Sequence, residues 1–218
     1  MTGVVPFDTP GRAARSTPQV VSHLRAGKLL AYPTETVYGL GSLARPAPVA
    51  ALARLKGREP GKPFLLLVSH RAMAEVQGLA FNPAADAMAR AFWPGPLTLV
   101  LPGGGGRLPD LLRGPEGGIA VRWTAHPLIA ALVAALDEPL TSTSANLPGQ
   151  PPAPGADAIV RDFAPAVNDG TLLVADGGVL GNRPPSTVVD CTRPTARLVR
   201  PGAVSQAELR AAVGRLAP

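Results

Sequence analysis

One cysteine, Cys191, stands in a chain of 218 residues. That excludes an internal disulfide framework and any cysteine-based zinc site, and it suits a reducing compartment. Histidine is nearly as scarce: His23, His70 and His126 lie far apart in sequence and suggest no metal cluster. Aromatic residues make up 4%, so the core has to be built mainly from Leu, Val, Ile and Ala. Long apolar runs are missing too. The longest, Leu128 to Leu136, falls short of the roughly 18 or more residues a membrane span needs. The start, MTGVVPFDTP, has neither a basic opening nor an apolar stretch, so no secretory signal is expected. Together these absences predict a soluble cytoplasmic protein without a membrane segment.

Lysine is the remaining scarcity. Of 21 basic residues, set against 15 acidic ones, only Lys28, Lys56 and Lys62 are lysine, and the net charge is +6. The arginine bias, with abundant Ala, Gly and Pro, matches a genome-wide composition, so a functional basic face and composition alone stand equally open. A basic surface attracts phosphates in either case. The hydrophobic share of 46% is that of a globular chain, long enough to bury a substantial core.

Strand and helix signals alternate along most of the chain, which predicts a single α/β domain with a twisted mixed sheet and helices packed on it. Residues 1–16 read as an irregular lead-in, with Thr17-Pro18 capping a first helix that runs to about Gly27. Strands are expected at 28–32, 64–68, 97–101, 119–123, 139–143, 172–175, 186–190 and 197–200. Helices are expected at 47–56, 83–92, 127–136 and 156–163, and Ser205-Gln-Ala-Glu208 is a capping box that opens the last one. The domain is read as 17–212, and 213–218 as a tail.

Three segments carry chemistry. Tyr32-Pro-Thr-Glu-Thr-Val-Tyr-Gly-Leu-Gly41 follows a strand end, where open α/β sheets bind ligands. It offers hydroxyls, a carboxylate and glycines, although Thr side chains in such loops often only satisfy local amides. Lys56-Gly-Arg-Glu-Pro-Gly-Lys-Pro63 places three cations in seven residues of a Pro/Gly-stiffened loop, suited to a polyanion such as a triphosphate. A solvated helix end is the plainer explanation. Thr141-Ser-Thr-Ser-Ala-Asn146 concentrates hydroxyls and an amide at another strand end. No Walker loop, dinucleotide fingerprint or G-x-S-x-G elbow is present, and no histidine lies near enough in sequence to suggest a serine nucleophile.

Taken together, PTETVYGLG at 33–41, Lys56-x-Arg58 with Lys62-Pro63, WPGPLTLVL at 93–101, VRWTAHP at 121–127, Ser144-x-Asn146, STVVD at 186–190 and LVRPG at 198–202 resemble the YrdC family, the threonylcarbamoyl-adenylate synthases. The resemblance runs over about 17–212 in one consistent order. It implies a YrdC-like sheet around a concave basic cavity, in the short form without the extra carboxy-terminal domain of longer members. It implies nucleotidyl transfer: L-threonine, bicarbonate and ATP becoming L-threonylcarbamoyl-AMP and pyrophosphate. A partner transferase complex would then carry the group to tRNAs reading codons that begin with A, with direct tRNA contact open.

By the same resemblance, Thr34, Arg122 and Ser142 would hold threonine. Lys56, Arg58, Lys62, Ser144, Asn146, Ser186 and Arg200 would line ATP, with Lys56 and Arg58 as the catalytic cations. Mg2+ would arrive with ATP, held by phosphates and water rather than by a protein cage. The chain departs from the family pattern at Lys62, where relatives often carry a polar residue after the cation cluster, and at Leu67, where some carry a histidine near threonine. Two other readings remain: a carbamoyl-adenylate-forming carbamoyltransferase relative, and a non-catalytic RNA-binding protein using the basic face. Against the second stand the few aromatics available for base stacking.

Overall fold

The fold is described from a computed structural model covering residues 3–58, 62–181 and 183–217. Glu59 to Gly61 of the cation loop, Met1 and Thr2 of the lead-in and Pro218 of the tail lie outside the described residues, as does Asn182.

In chain order the strands are β1 (Val4–Pro6), β2 (Leu29–Tyr32), β3 (Gly39–Gly41), β4 (Leu65–Val68), β5 (Leu97–Leu101), β6 (Ile119–Trp123), β7 (Leu140–Ser144), β8 (Leu172–Asp176), β9 (Thr187–Asp190) and β10 (Arg197–Arg200). They form one mixed sheet in the order β1-β8-β2-β3-β7-β4-β6-β5-β9-β10. The parallel pairs are β1–β8, β2–β8, β4–β6 and β5–β9, and the remaining neighbours are antiparallel. The helices are α1 (Pro10–Arg25), α2 (Pro46–Lys56), α3 (Arg71–Val76), α4 (Pro83–Phe92), α5 (Pro127–Leu136), α6 (Ala156–Asp162), α7 (Ala164–Asn168) and α8 (Gln206–Val213).

Alternation along the strands builds the core and leaves room for a site. In β5, Leu97, Leu99 and Leu101 are fully buried, while Thr98 and Val100 face a cavity on the other side. In β6, Ile119 and Val121 are core, and Ala120 and Arg122 line that cavity. Side chains two apart share a face, so a polar or small residue at every second position opens one face of this half of the sheet.

The amino-terminal boundary differs from expectation. Residues 4–6 and 10–16 are regular: β1 joins the sheet edge, and α1 starts at Pro10 with Thr9 as its cap, the Thr9 hydroxyl accepting from the Arg12 amide at 3.4 Å. Thr-Pro occurs at both 9–10 and 17–18, and only the first acts as the cap. Pro18 sits inside the helix, and the Thr17 hydroxyl donates back to the Ala13 carbonyl at 2.8 Å. An internal proline costs about 3 kcal/mol. The buried stripe of Ala13, Ser16, Val20 and Leu24 overrides that cost by covering β1 and β2.

Two further elements escape local patterning. β3 falls within what reads as a polar loop, because its glycines have no strand propensity. Gly41 lies so close to β7 that a Cβ there would collide with the Thr141 carbonyl. The expected tail is also packed: Leu216 is buried and the Ala217 amide donates to the Ala196 carbonyl at 2.8 Å. That contact covers part of the free edge of β10.

Candidate active site

A cavity of about 550 Å³ opens on the face formed by β3 to β7, β9 and β10. Its lining brings together Thr34, Arg58, Arg122, Ser142, Ser144, Ser186 and Arg200, residues spread over most of the sequence. Among the described residues four arginines line it, with Arg197 the fourth, against two carboxylates, Glu116 and Asp190. Lys56, Lys62 and Asn146 are not among the lining residues.

Arg122 is carried by β6 and is 3% exposed. Glu35 is its ion-pair partner among the described residues, with Nη1 3.9 Å from Oε1, and its buried Nε has no hydrogen-bond partner among them. A guanidinium that lines a cavity and is not forked onto a protein carboxylate is suited to a planar carboxylate ligand. Ser142, on the neighbouring part of the wall, is buried as well. Leu67 is fully buried in β4, opposite Arg122 across the strand pair, and does not reach the cavity.

Loop 33–38 supplies Thr34, Thr36 and Val37. The Thr34 hydroxyl accepts from the amides of Thr36 (3.1 Å) and Val37 (3.2 Å), lies 3.0 Å from the Thr36 hydroxyl and donates to the Val37 carbonyl at 2.6 Å. Thr34 therefore shapes the loop it stands in. The Thr36 hydroxyl beside it is a second cavity-lining hydroxyl that the sequence reading did not single out.

The cation cluster divides into two roles. The helix α2 stops at Gly57, whose φ of 56° suits glycine, and this places Lys56 and Arg58 in different directions. The Lys56 ammonium donates to the Ser144 carbonyl (2.9 Å), to the Asn146 side-chain oxygen (2.6 Å) and to the Asn146 carbonyl. These three acceptors match its three N–H donors, so Lys56 clasps the end of β7 from behind. Burial, then the neighbouring Arg58 guanidinium, pulls its pKa down from 10.5 to about 8.

Arg58 lines the cavity, donating to the Lys62 carbonyl (2.6 Å), the Pro63 carbonyl (2.6 Å) and the Thr143 hydroxyl (3.0 Å), and it stacks over Phe64 at 4.8 Å. Three of its five N–H groups are thus engaged by described residues, which fixes the fork. Lys62 is exposed. Asn146 receives Lys56, and its side-chain oxygen also accepts from the Ser144 hydroxyl at 2.5 Å.

On the far wall, the Arg200 guanidinium donates to the Ser186 carbonyl at 2.8 Å and reaches the Ser186 hydroxyl at 3.3 Å. The Ser186 hydroxyl also lies 2.9 Å from the Thr98 hydroxyl. Burial, then the charge of Arg122, lowers the Arg200 pKa, so the two guanidinium groups sense one another. A register shift in β10 between Leu198 and Arg200 lets Arg197, Val199 and Arg200 all line the same cavity, which regular alternation would forbid.

Residues missed by the sequence reading include Asp190 and Arg197. The Asp190 carboxylate accepts from the Thr192 amide (2.9 Å), the Thr192 hydroxyl (2.7 Å) and Arg197 (3.2 Å). Burial alone would raise its pKa, but Thr192 and Arg197 hold it below the ordinary value. Asp190 shares strand parity with Ser186 and Val188, a signal that was available in STVVD. Glu116 reaches across from the loop before β6 to Arg197 at 3.1 Å and Arg193 at 3.4 Å. Among the described residues no group of three or more His, Cys, Asp or Glu could hold a metal ion. No described helix is long and apolar enough to cross a membrane.

Comparison with known proteins fits this geometry. The chain is 43% identical over 173 residues to threonylcarbamoyl-AMP synthase of Chromohalobacter salexigens, covering 78% of this chain and 89% of that one. To the enzyme of the same name from Thiobacillus denitrificans it is 40% identical, covering 84% and 94%. The Pyrococcus abyssi enzyme is 34% identical over 88% of this chain, which spans only 56% of that relative's length. Among solved structures, P. abyssi Sua5 complexed with L-threonine superposes with a TM-score of 0.88 at 31% identity, covering 98% of this chain and 61% of that one. E. coli YciO gives 0.75 at 26% identity, covering 94% and 97%. The profile of the Sua5/YciO/YrdC family, described as telomere recombination, matches residues 22–202, and the chain belongs to that family.

Proposed function

We propose that this protein is an L-threonylcarbamoyladenylate synthase, a nucleotidyltransferase that makes L-threonylcarbamoyl-AMP and pyrophosphate from L-threonine, bicarbonate and ATP. One observation carries this reading: a single cavity gathers three arginines (Arg58, Arg122, Arg200) with Ser142, Ser144 and Ser186. Relatives named for this activity support it.

The reaction forms a C–N bond between the threonine amine and bicarbonate carbon, with loss of water. A carbamate oxygen then attacks the α-phosphorus, and the bond to the pyrophosphate oxygen breaks. Neither step needs an enzyme nucleophile. Both need several anions held in line and their charge offset.

Arg122 and Ser142 are assigned to the threonine carboxylate and amine, with Thr34 shaping the loop beside them. Arg58 and Arg200 face the phosphates, with Ser144 and Ser186 as hydroxyl donors. Lys56 and Asn146 hold the wall that presents Ser144, and Lys62 supports Arg58 through its backbone carbonyl. Magnesium would arrive with ATP and supply further charge compensation at the phosphates, beside Arg58 and Arg200. The product passes to a cytoplasmic transferase complex that modifies tRNA reading codons beginning with A.

The test is pyrophosphate release from ATP in buffered bicarbonate, with and without L-threonine. Release that requires threonine is the expected result. Release indifferent to threonine, or tight tRNA binding with no turnover, overturns the assignment.

A further inference from the structure

Glu35 is the one charged side chain of loop 33–38, and it turns away from the cavity that its neighbours Thr34, Thr36 and Val37 line. Its carboxylate enters the corner between β6 and α5. There Oε2 accepts from the Thr124 hydroxyl at 2.6 Å, and Oε1 accepts from the Ala125 amide at 3.3 Å. Thr124 is itself fixed, fully buried and accepting from the His126 amide at 3.2 Å. The same Oε1 stands 3.9 Å from Arg122 Nη1. The Glu35 side chain is 13% exposed and that of Arg122 is 4%, so this is a charge pair inside the protein.

Distance decides what the pair does. A carboxylate forked onto Arg122 would occupy the donors that a ligand carboxylate needs. At 3.9 Å from one nitrogen, Glu35 balances and orients the guanidinium without forking onto it. A buried arginine facing another, Arg200, needs such a counter-charge. Burial alone would raise the Glu35 carboxyl, but Arg122 and the Thr124 hydroxyl hold its pKa below the ordinary value, so it stays ionised in the physiological range. The carboxylate also ties loop 33–38 to the strand that carries Arg122, which couples the two walls of the threonine end.

We propose that Glu35 is a positioning residue for the amino-acid substrate: it sets the Arg122 guanidinium and anchors loop 33–38 against the β6–α5 corner without touching substrate itself. The inference rests on the synthase reading above and adds to it a residue at a distance from the reacting atoms.

Glu35→Gln keeps the shape and an acceptor for Thr124 but removes the charge. The expected result is a rise in KM for threonine of about tenfold with KM for ATP unchanged within twofold. Thr124→Val, which keeps the charge and removes the clamp, should shift threonine KM in the same direction. The double variant should fall short of the product of the two effects, because both act through one carboxylate. Circular dichroism melts run alongside, and if Glu35→Gln does not fold, Thr124→Val supplies the KM split. Equal rises in both KM values, or no change in either, overturn the positioning role. If wild-type pyrophosphate release needs threonine and the variants behave as wild type, the Glu35 inference alone fails. If wild type shows no threonine dependence, the synthase reading fails and this inference with it.

Discussion

Replacing Lys56 by Met removes an ammonium while nearly preserving volume, and the structure sets the size of the effect. The ammonium holds the Ser144 carbonyl, the Asn146 carbonyl and the Asn146 side-chain oxygen. Hydrogen bonds to a charged group contribute about 1.5–3 kcal/mol each. Burial beside Arg58 opposes them, as the pKa near 8 in place of 10.5 shows. A neutral, apolar Met leaves all three oxygens without their donor, and an acceptor stranded in this way costs about 1–3 kcal/mol. Lys56→Met should therefore lower the unfolding free energy by about that amount or more, read as a shift in urea midpoint at constant slope. Because the clasp shapes the Ser144–Asn146 turn, KM for ATP should rise in the fraction that remains folded. A variant with an unchanged urea midpoint and a normal ATP KM refutes the clasp. A variant of wild-type stability that has lost only ATP binding points instead to direct phosphate contact by Lys56.

Other perturbations probe separate parts of the molecule. Arg122→Lys keeps the charge but loses the planar fork, so KM for threonine should rise at least tenfold in the pyrophosphate assay, and a normal KM would remove Arg122 from the carboxylate site. Gly41→Ala drives a Cβ into the Thr141 carbonyl across the β3–β7 pair and should destabilise the fold by about 2 kcal/mol, measured by thermal or urea unfolding; an unaffected melting point contradicts the close approach. Cys191 is fully buried, and burial, then the charge of Asp190, lifts its thiol from 9.0 to about 12. The unfolded chain thus loses that proton first, and stability falls as pH rises past 9. By pH 10 wild type should have lost about 1.4 kcal/mol more than Cys191→Ala, and parallel stability curves for the two proteins would exclude the shift.

Much of the fold was legible because it rests on local chemistry. The Ser205–Glu208 capping box is present at α8, Asn82 caps α4 through the Ala85 amide, and Gly57 ends α2 in a left-handed turn. The apolar run at 64–68 and the alternating LTLVL at 97–101 became β4 and β5. Where local signals were duplicated or silent, the reading missed. Thr-Pro occurs twice near the amino terminus, and burial of the α1 stripe chose the earlier one. β3 is a Gly-Leu-Gly strand that exists because two neighbours need close approach, a fact with no trace in propensity.

Within the candidate site, composition and motif spacing marked the arginines and hydroxyls as chemically apt, but they could not say which way each side chain points. Lys56 and Arg58 sit two residues apart, yet one faces Asn146 and the other faces the cavity, because the turn at Gly57 separates them. Arg200 joins Arg197 on one face through a bulge that interrupts the strand's two-residue period. Glu35 and Arg122 are 87 positions apart and meet through the docking of a loop on a strand end. What the sequence alone determined was the supply of strands, helices and anion-binding groups, since these follow from short-range pattern and side-chain chemistry. Only the tertiary structure decided which of those groups share a cavity, which are held in its walls and which charge steadies which, because that depends on strand order and register between distant segments.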